Sequence, residues 1–543
     1  MQALRTLIIS AASIALLNAC GGGGGGSGGS NPPVSTPNDG WVAGVYEAAD
    51  QFENQCASPR SGTNPDTGSL YPDRQGSAVD EKNWLRSWSN DTYLWYGELP
   101  DLNPENNYSE FITERFPTEP NGYFSQLKTT ATTPSGKAKD SYHFVLDSQT
   151  WYELSQGGVS FGYGIEFAVL ASSPPRDVRI AYSQNTSQAA QFGMTRGTKI
   201  IAIDGESVLN GNPDALNAGL SPDVAGEEHN FEVLLPGALE TQTFTLTAAE
   251  VAIDPLQNVK VIPTATGNVG YMAFHDHIAP AELALINAIQ SLSQQGINDL
   301  VIDLRYNGGG YLDIASELGY MIAGNATLNR TFELLQFNDK SPSVNPVTGQ
   351  TIRPIPFHTR AQGFSAPENQ PLPTLGDSLN RVFLLTGSGT CSASEALING
   401  LQGINFDVIQ IGATTCGKPY GYYPTPNCGS TYFTVQFKGV NAAGFGDYPD
   451  GFTPSVGGDP GATEVTGCYV ADDFDNALGE AAEARLAAAL YYRDNGSCPP
   501  ALGTQFTPSG GNGGPLGTGA ETLSLGPAEP NILKTPARRM RLL

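Results

Sequence analysis

The stretch Val382-Phe383-Leu384-Leu385-Thr386-Gly387-Ser388-Gly389-Thr390-Cys391-Ser392-Ala393-Ser394-Glu395 changes character twice, and its reading decides the fold. Val382 to Leu385 is an apolar run of buried-strand length. Thr386 to Cys391 are small residues, which let the backbone approach another group closely. After Ser392, Ala396, Leu397 and Leu401 fall at the spacing of one helical face, so Ser392 stands at a helix N-terminus. Val408 to Gly412 reads as a second buried strand, followed by Ala413-Thr414-Thr415-Cys416-Gly417-Lys418. A strand-loop-helix-strand unit returns the chain beside Ser392 and brings Lys418 to it from the neighbouring strand.

Ser392 with Glu395 three residues on fits a capping box, so the serine taken alone is a helix cap. Lys418 adds chemistry to that reading. A serine hydroxyl needs a group to take its proton, and a lysine does so only where burial disfavours the ammonium form. Ser392-Ala393-Ser394-Glu395 followed by Gly417-Lys418 resembles the signature of the carboxy-terminal processing peptidases, or tail-specific proteases. The resemblance implies Ser392 as nucleophile and Lys418 as general base. Members of that family often carry a glutamine four residues beyond the lysine, where this chain has Tyr422. Tyr422 or Glu395 is then left to orient Lys418.

The chain has 543 residues, 28 basic against 54 acidic, for a formal charge of −26. That length leaves room for several domains. The acidity disfavours nucleic acid or anionic lipid as a partner of the body of the protein. Met1 to Ala19 has a short positive region at Arg5 and an apolar core from Leu7 to Leu17, too short to span a bilayer, and so reads as a signal peptide. Leu17-Asn18-Ala19-Cys20 resembles a bacterial lipobox. It implies lipid on Cys20, attachment to the cell envelope and, with no Asp at position 21, the outer membrane, facing periplasm or cell surface. The alternative is an ordinary signal peptide with Cys20 incidental. Residues 20–40 form a Gly/Ser-rich tether. Cys56, Cys391, Cys416, Cys428, Cys468 and Cys498 make an even set that allows disulfides of open connectivity. Cys391 can equally be a small buried thiol.

Residues 41–156 are rich in Trp and Tyr, with helical character at Val42 to Glu53 and Glu81 to Tyr96, and are similar to the small helical domain of some family members. Across 157–251, Phe161 to Phe167 and Gly197 to Gly205 resemble a PDZ domain. That implies a peptide added as an edge strand at Tyr163, Gly164 and Ile165, with its terminal carboxylate held by backbone N–H groups. The alternative is a module of this kind that only shields the active site.

From 261 to 498 strands and helices alternate: Val269 to Phe274, a helix over Pro280 to Gln294 burying Leu285, Ile286, Ile289 and Leu292, then the strand Asp299 to Arg305. Tyr306-Asn307-Gly308-Gly309-Gly310 next opens a helix with Leu312, Ile314, Ala315, Leu318 and Met321 inside. Bare backbone N–H groups at a helix start suit an oxyanion hole. The run resembles the family's Asp-Leu-Arg-x-Asn-x-Gly-Gly motif, which implies oxyanion donors at Gly309 and Ala393. Asp473 to Tyr491 is similar to the closing helix. The tail, 499–543, is Gly/Pro-rich and reads as disordered, able to enter its own or a neighbouring cleft. His275 and His277 read as surface or loop residues, with histidine-assisted catalysis as the lesser option.

The expected architecture is an α/β core resembling the crotonase-like fold, with a β-rich PDZ domain and a small helical N-terminal domain. The expected function is a lipid-anchored serine endopeptidase of the envelope that acts on proteins or peptides through their C-terminal tails, with no cofactor, no metal and no nucleic acid. The rival is a catalytically silent PDZ-containing lipoprotein that binds peptides.

Overall fold

A central sheet of seven strands carries the molecule, and its parallel strands aim their C-terminal ends at one edge. The structure, a computed structural model, describes residues 41–64, 67–108, 119–222, 224–376, 378–456, 462–500 and 531–532. The expected signal peptide, Cys20 and the expected tether lie outside the described residues.

Near the start, α1 (Ala78–Thr92) begins at Ser77, whose hydroxyl accepts from Asp80 N–H while Asp80 accepts in return. A β-rich module follows, with β1 (Ile165–Ala171), β2 (Asp177–Ser183), β3 (Lys199–Ile203), β4 (Glu228–Leu234) and β5 (Gln242–Thr247). The core consists of β6 (Leu256–Thr264), β7 (Gly267–Phe274), α2 (Ala281–Gln294), β8 (Asp299–Asp303), α3 (Leu312–Ala323), β9 (Arg381–Thr386), α4 (Ala393–Gly403), β10 (Asp407–Gly412), β11 (Thr453–Ser455), β12 (Glu464–Tyr469) and α5 (Ala484–Asn495).

The core sheet runs β6-β7-β8-β9-β10-β12-β11. β6 is antiparallel to β7, and every other pair is parallel. Parallel sheets need cover on both faces. Here Ile302, Val382 and Leu384 pack with Leu285 and Ile289 of α2, Leu318 of α3 and Leu397 of α4. Val301, Phe383, Leu385 and Ile411 face the other way, onto Leu486 and Ala489 of α5. The alternation along each strand follows from its two-residue period. Truncating a side chain such as Leu397 to alanine removes about 2–5 kcal/mol of packing.

The module sheet runs β5-β4-β3-β2-β1-β13, where β13 is Asn531–Ile532 near the chain end, antiparallel to β1. These two tail residues are extended strand, contrary to the expected disorder. Two further expectations are corrected at their ends. Val42 to Glu53 holds only a short 3-10 turn at Ala49–Gln51, and the closing helix starts at Ala484, capped by the Glu483 carboxylate.

Residues 41–156 do not close on themselves. Phe144–Asp147 pairs with Ser430–Phe433, Cys56 is bonded to Cys428, and Trp84, Trp88 and Phe124 share a cluster with Tyr432. Ala43 onward forms one compact unit. Among the described residues no helix is long and apolar enough to cross a membrane.

Candidate active site

Four loops leave adjacent strands at their C-terminal ends, where open α/β sheets place ligands. β7 leads to His275-Asp276-His277, β8 to Tyr306 through Gly310, β9 to Thr390-Cys391-Ser392 and β10 to Thr415 through Lys418.

Ser392 is fully buried at the mouth of α4 with φ 58° and ψ −114°, a backbone region that side chains rarely adopt. Its N–H donates to Glu395 Oε2 at 3.0 Å, which sets it at the N-cap position. Its Oγ makes no hydrogen bond. A buried hydroxyl without a partner costs about 1–3 kcal/mol. A positive φ and a buried hydroxyl without a hydrogen bond thus coincide on Ser392.

Glu395 joins the two halves of the site. Its carboxylate, wholly buried, accepts from Thr415 Oγ1 at 2.6 Å, Gly417 N–H at 2.8 Å and Lys418 N–H at 2.8 Å besides Ser392 N–H. Burial pushes this carboxyl above its usual range, against the lowering effect of these donors. The bonds from Glu395 to Lys418 go to the backbone, so it fixes the loop.

Lys418 is also fully buried, and its Nζ donates to Tyr422 Oη at 3.2 Å. The same nitrogen lies 4.5 Å from the Tyr422 ring centre and 5.0 Å from that of Tyr142. Of the two residues expected to orient the lysine side chain, Tyr422 is the one placed on Nζ. No hydrogen bond joins Ser392 Oγ to Lys418 Nζ in this structure. Catalytic hydrogen bonds are commonly long before substrate arrives.

Gly309 packs directly on the serine. A Cβ there would come 2.7 Å from Ser392 Cβ and 2.9 Å from Ala393 N, and φ at Gly309 is +100°. Its N–H, however, donates to Asn307 Oδ1 at 2.9 Å. Of the two expected oxyanion donors, Gly309 is therefore engaged and can serve only once that bond opens. Ala393 stands at the start of α4, where the helix N-terminus favours negative charge.

Of the surface or loop position expected for His275 and His277, the loop is found and the surface is not, since both lie in the loop after β7 and are buried. His275 stacks on Tyr182 with ring centres 3.9 Å apart. The His277 imidazole Nδ1 lies 3.0 Å from Asn307 Oδ1, and its backbone donates to Gly309 O and accepts from Tyr311 N–H. Asn307 O in turn accepts from Cys391 N–H and Ser394 Oγ. His277 and Asn307 brace the glycine loop against the serine loop, a pair that the sequence reading missed. The Asn in the Tyr306-to-Gly310 run was the available signal.

Cys391 is bonded to Cys416, which removes the free-thiol alternative, and Cys468 is bonded to Cys498. Sγ of both Cys391 and Cys416 and a Glu395 oxygen lie within 4.8 Å of one another, but bonded sulfurs do not ligate a metal. In the module, Tyr163 is buried, with its hydroxyl donating to Gly219 O at 3.1 Å, so its side chain belongs to the module core. Gly164 has φ +69°, and Ile165 opens β1.

Residues 268–426 match the family model described as Peptidase family S41. The chain is 28% identical over 270 residues to a chloroplastic C-terminal processing peptidase of Tetradesmus obliquus, covering 47% of this chain and 51% of that protein. It is 27% identical over 323 residues to the carboxy-terminal processing protease CtpB of Bacillus subtilis, covering 58% and 59%. The matched part thus spans between half and three-fifths of those relatives' length. A crystal structure from Bacteroides fragilis assigned to the S41 proteases overlays with a TM-score of 0.55 at 20% identity, over 76% of this chain and 97% of that one, a likeness of fold. Residues 268–426 are thus the part of the chain that is similar to peptidase family S41.

Proposed function

We propose that this chain is a serine endopeptidase acting on protein or peptide substrates through Ser392 and Lys418. The observation that carries the reading is Glu395, which holds the backbones of Ser392 and Lys418 on one buried carboxylate while Lys418 Nζ rests on Tyr422. Substrate would place its scissile carbonyl over Ser392. Oγ attacks, Lys418 takes the proton, the helix start at Ala393 receives the oxyanion, and water releases the acyl group.

Recognition through C-terminal tails would fall to the β-rich module, read as PDZ-like. In support, β1 follows the Gly162–Gly164 loop and its free edge already accepts an extended segment, Asn531–Ile532. Lipid on Cys20 and a place in the cell envelope complete the proposal, and three disulfides suit an oxidising compartment. A silent peptide-binding protein leaves the strained, unbonded serine without a purpose.

The test is labelling with a fluorophosphonate, a serine-directed covalent probe, followed by mapping of the modified residue. Label on Ser392, lost in Lys418→Ala, supports the reading. Absence of label from a folded chain defeats it.

A further inference from the structure

We propose that the Cys391–Cys416 disulfide is a thiol–disulfide exchange site through which a dithiol reductant controls the alignment of Ser392 with Lys418. The proposal rests on the peptidase reading above and adds regulation of the same site.

Cys391 directly precedes the serine, and Cys416 stands two residues before the lysine. The bond between them is a covalent link across the β9 and β10 loops. The same loops are otherwise held by Cys416 N–H on Thr390 O at 3.0 Å and by the Glu395 carboxylate. Cys416 Sγ lies 3.4 Å from Glu395 Oε2, the oxygen that also accepts from Ser392 N–H at 3.0 Å and Lys418 N–H at 2.8 Å. In the disulfide this sulfur carries no proton. Once reduced it either donates S–H to Oε2, in competition with the two catalytic residues, or places a thiolate against a carboxylate. Either outcome disturbs the one oxygen that registers nucleophile and base. The sulfur's position therefore converts a change of redox state into a change of alignment.

The exchange is chemically closed. A thiolate of the dithiol attacks Cys416 Sγ, on the partly exposed member of the pair, and forms a mixed disulfide. The Cys391–Cys416 bond breaks, and Cys391, 6% exposed, leaves as a thiolate that takes a proton. The second thiol of the reductant then attacks its own mixed disulfide, releasing Cys416 as a thiol and the reductant as a cyclic disulfide. Two electrons pass from the dithiol to the protein.

The experiment measures hydrolysis of an unfolded protein by the full chain before and after non-denaturing treatment with dithiothreitol, with free thiols located by alkylation and mass analysis. Misplacement of a catalytic group by about 1 Å costs up to roughly 100-fold. We expect kcat to fall by about 10- to 100-fold with KM little changed, and to return on reoxidation. The Cys391→Ser/Cys416→Ser variant should have the low kcat and ignore dithiothreitol. Chains lacking Cys56 and Cys428, or Cys468 and Cys498, should keep the response. Full kcat with Cys391 and Cys416 both alkylated overturns the proposal. A chain inactive while oxidised and unlabelled at Ser392 overturns the peptidase reading instead.

Discussion

Tyr422 offers its phenolic oxygen to Lys418 Nζ at 3.2 Å from a fully buried position. Tyr422→Phe keeps the ring beside Lys418 Nζ and removes only that acceptor. One such hydrogen bond is worth about 1.5 kcal/mol, which is about tenfold in rate. Steady-state kinetics of the variant should show kcat lowered by about that factor and KM nearly unchanged, whereas a purely structural tyrosine would move the melting temperature and leave kcat alone. The placement of Ser392 at a helix start and of Lys418 on the neighbouring loop was legible in the sequence because each lies within a short motif at the end of an apolar run. His277 was not. Its burial depends on packing between the β7 and β8 loops, and nothing local to His275-Asp276-His277 encodes that.

α2 and α3 face each other through two buried acids, Glu282 and Glu317, beneath the loop 362–366. Glu282 accepts from Gly363, Ser365 and Ala366 N–H, and Glu317 accepts from Gln362 N–H. Burial, and then the Glu282 charge, push Glu317 up to about 9 from an ordinary 4.5. The native state keeps a proton that the unfolded chain gives up, so this stability is fully present below about pH 4.5 and is lost as pH rises through about 9. Glutamine stays neutral, so Glu317→Gln should flatten the fall of melting temperature between pH 5 and pH 9. An unchanged slope would remove Glu317 from the dependence. Helices with a clear apolar face, such as α2 and α4, were readable to within a few residues. Val42 to Glu53 was not, because Gly44 and mixed polarity leave no stripe to bury, and the residues form a single turn. The start of α5 was misplaced because its cap, Glu483, is set by tertiary partners, chiefly Arg305.

The β-rich module and the core meet at a buried ionic cluster. Arg196 of the module and Arg305 of the core each reach Asp472 Oδ1 at 2.6 Å, and Arg305 also binds Asp303 and Glu483. Burial pushes the Asp472 carboxyl up, but Arg196, Arg305 and Arg485 together hold it well below the usual carboxylate range. Removing one partner of a buried pair strands the other charge, at a cost of about 3–5 kcal/mol. Asp472→Asn should lower unfolding stability by that amount at neutral pH, measured by denaturant titration. The deficit should shrink as pH falls below about 3.8, where the unfolded chain's aspartate takes a proton that the native state does not. Arg196 and Asp472, Arg305 and Asp472, and Cys56 and Cys428 lie 276, 167 and 372 positions apart, so no local pattern reveals these links. The alternation of strands and helices along the core was local, and that is why its layered architecture was legible.

The central claim is that Ser392 and Lys418 form one hydrolytic unit, and cleavage of an unfolded protein by wild type, Ser392→Ala and Lys418→Ala tests it most directly. We expect both variants to remain folded by circular dichroism and each to lose more than about 10³-fold in kcat, with no further loss in the double variant. A folded Lys418→Ala chain cleaving at the wild-type rate would contradict the claim.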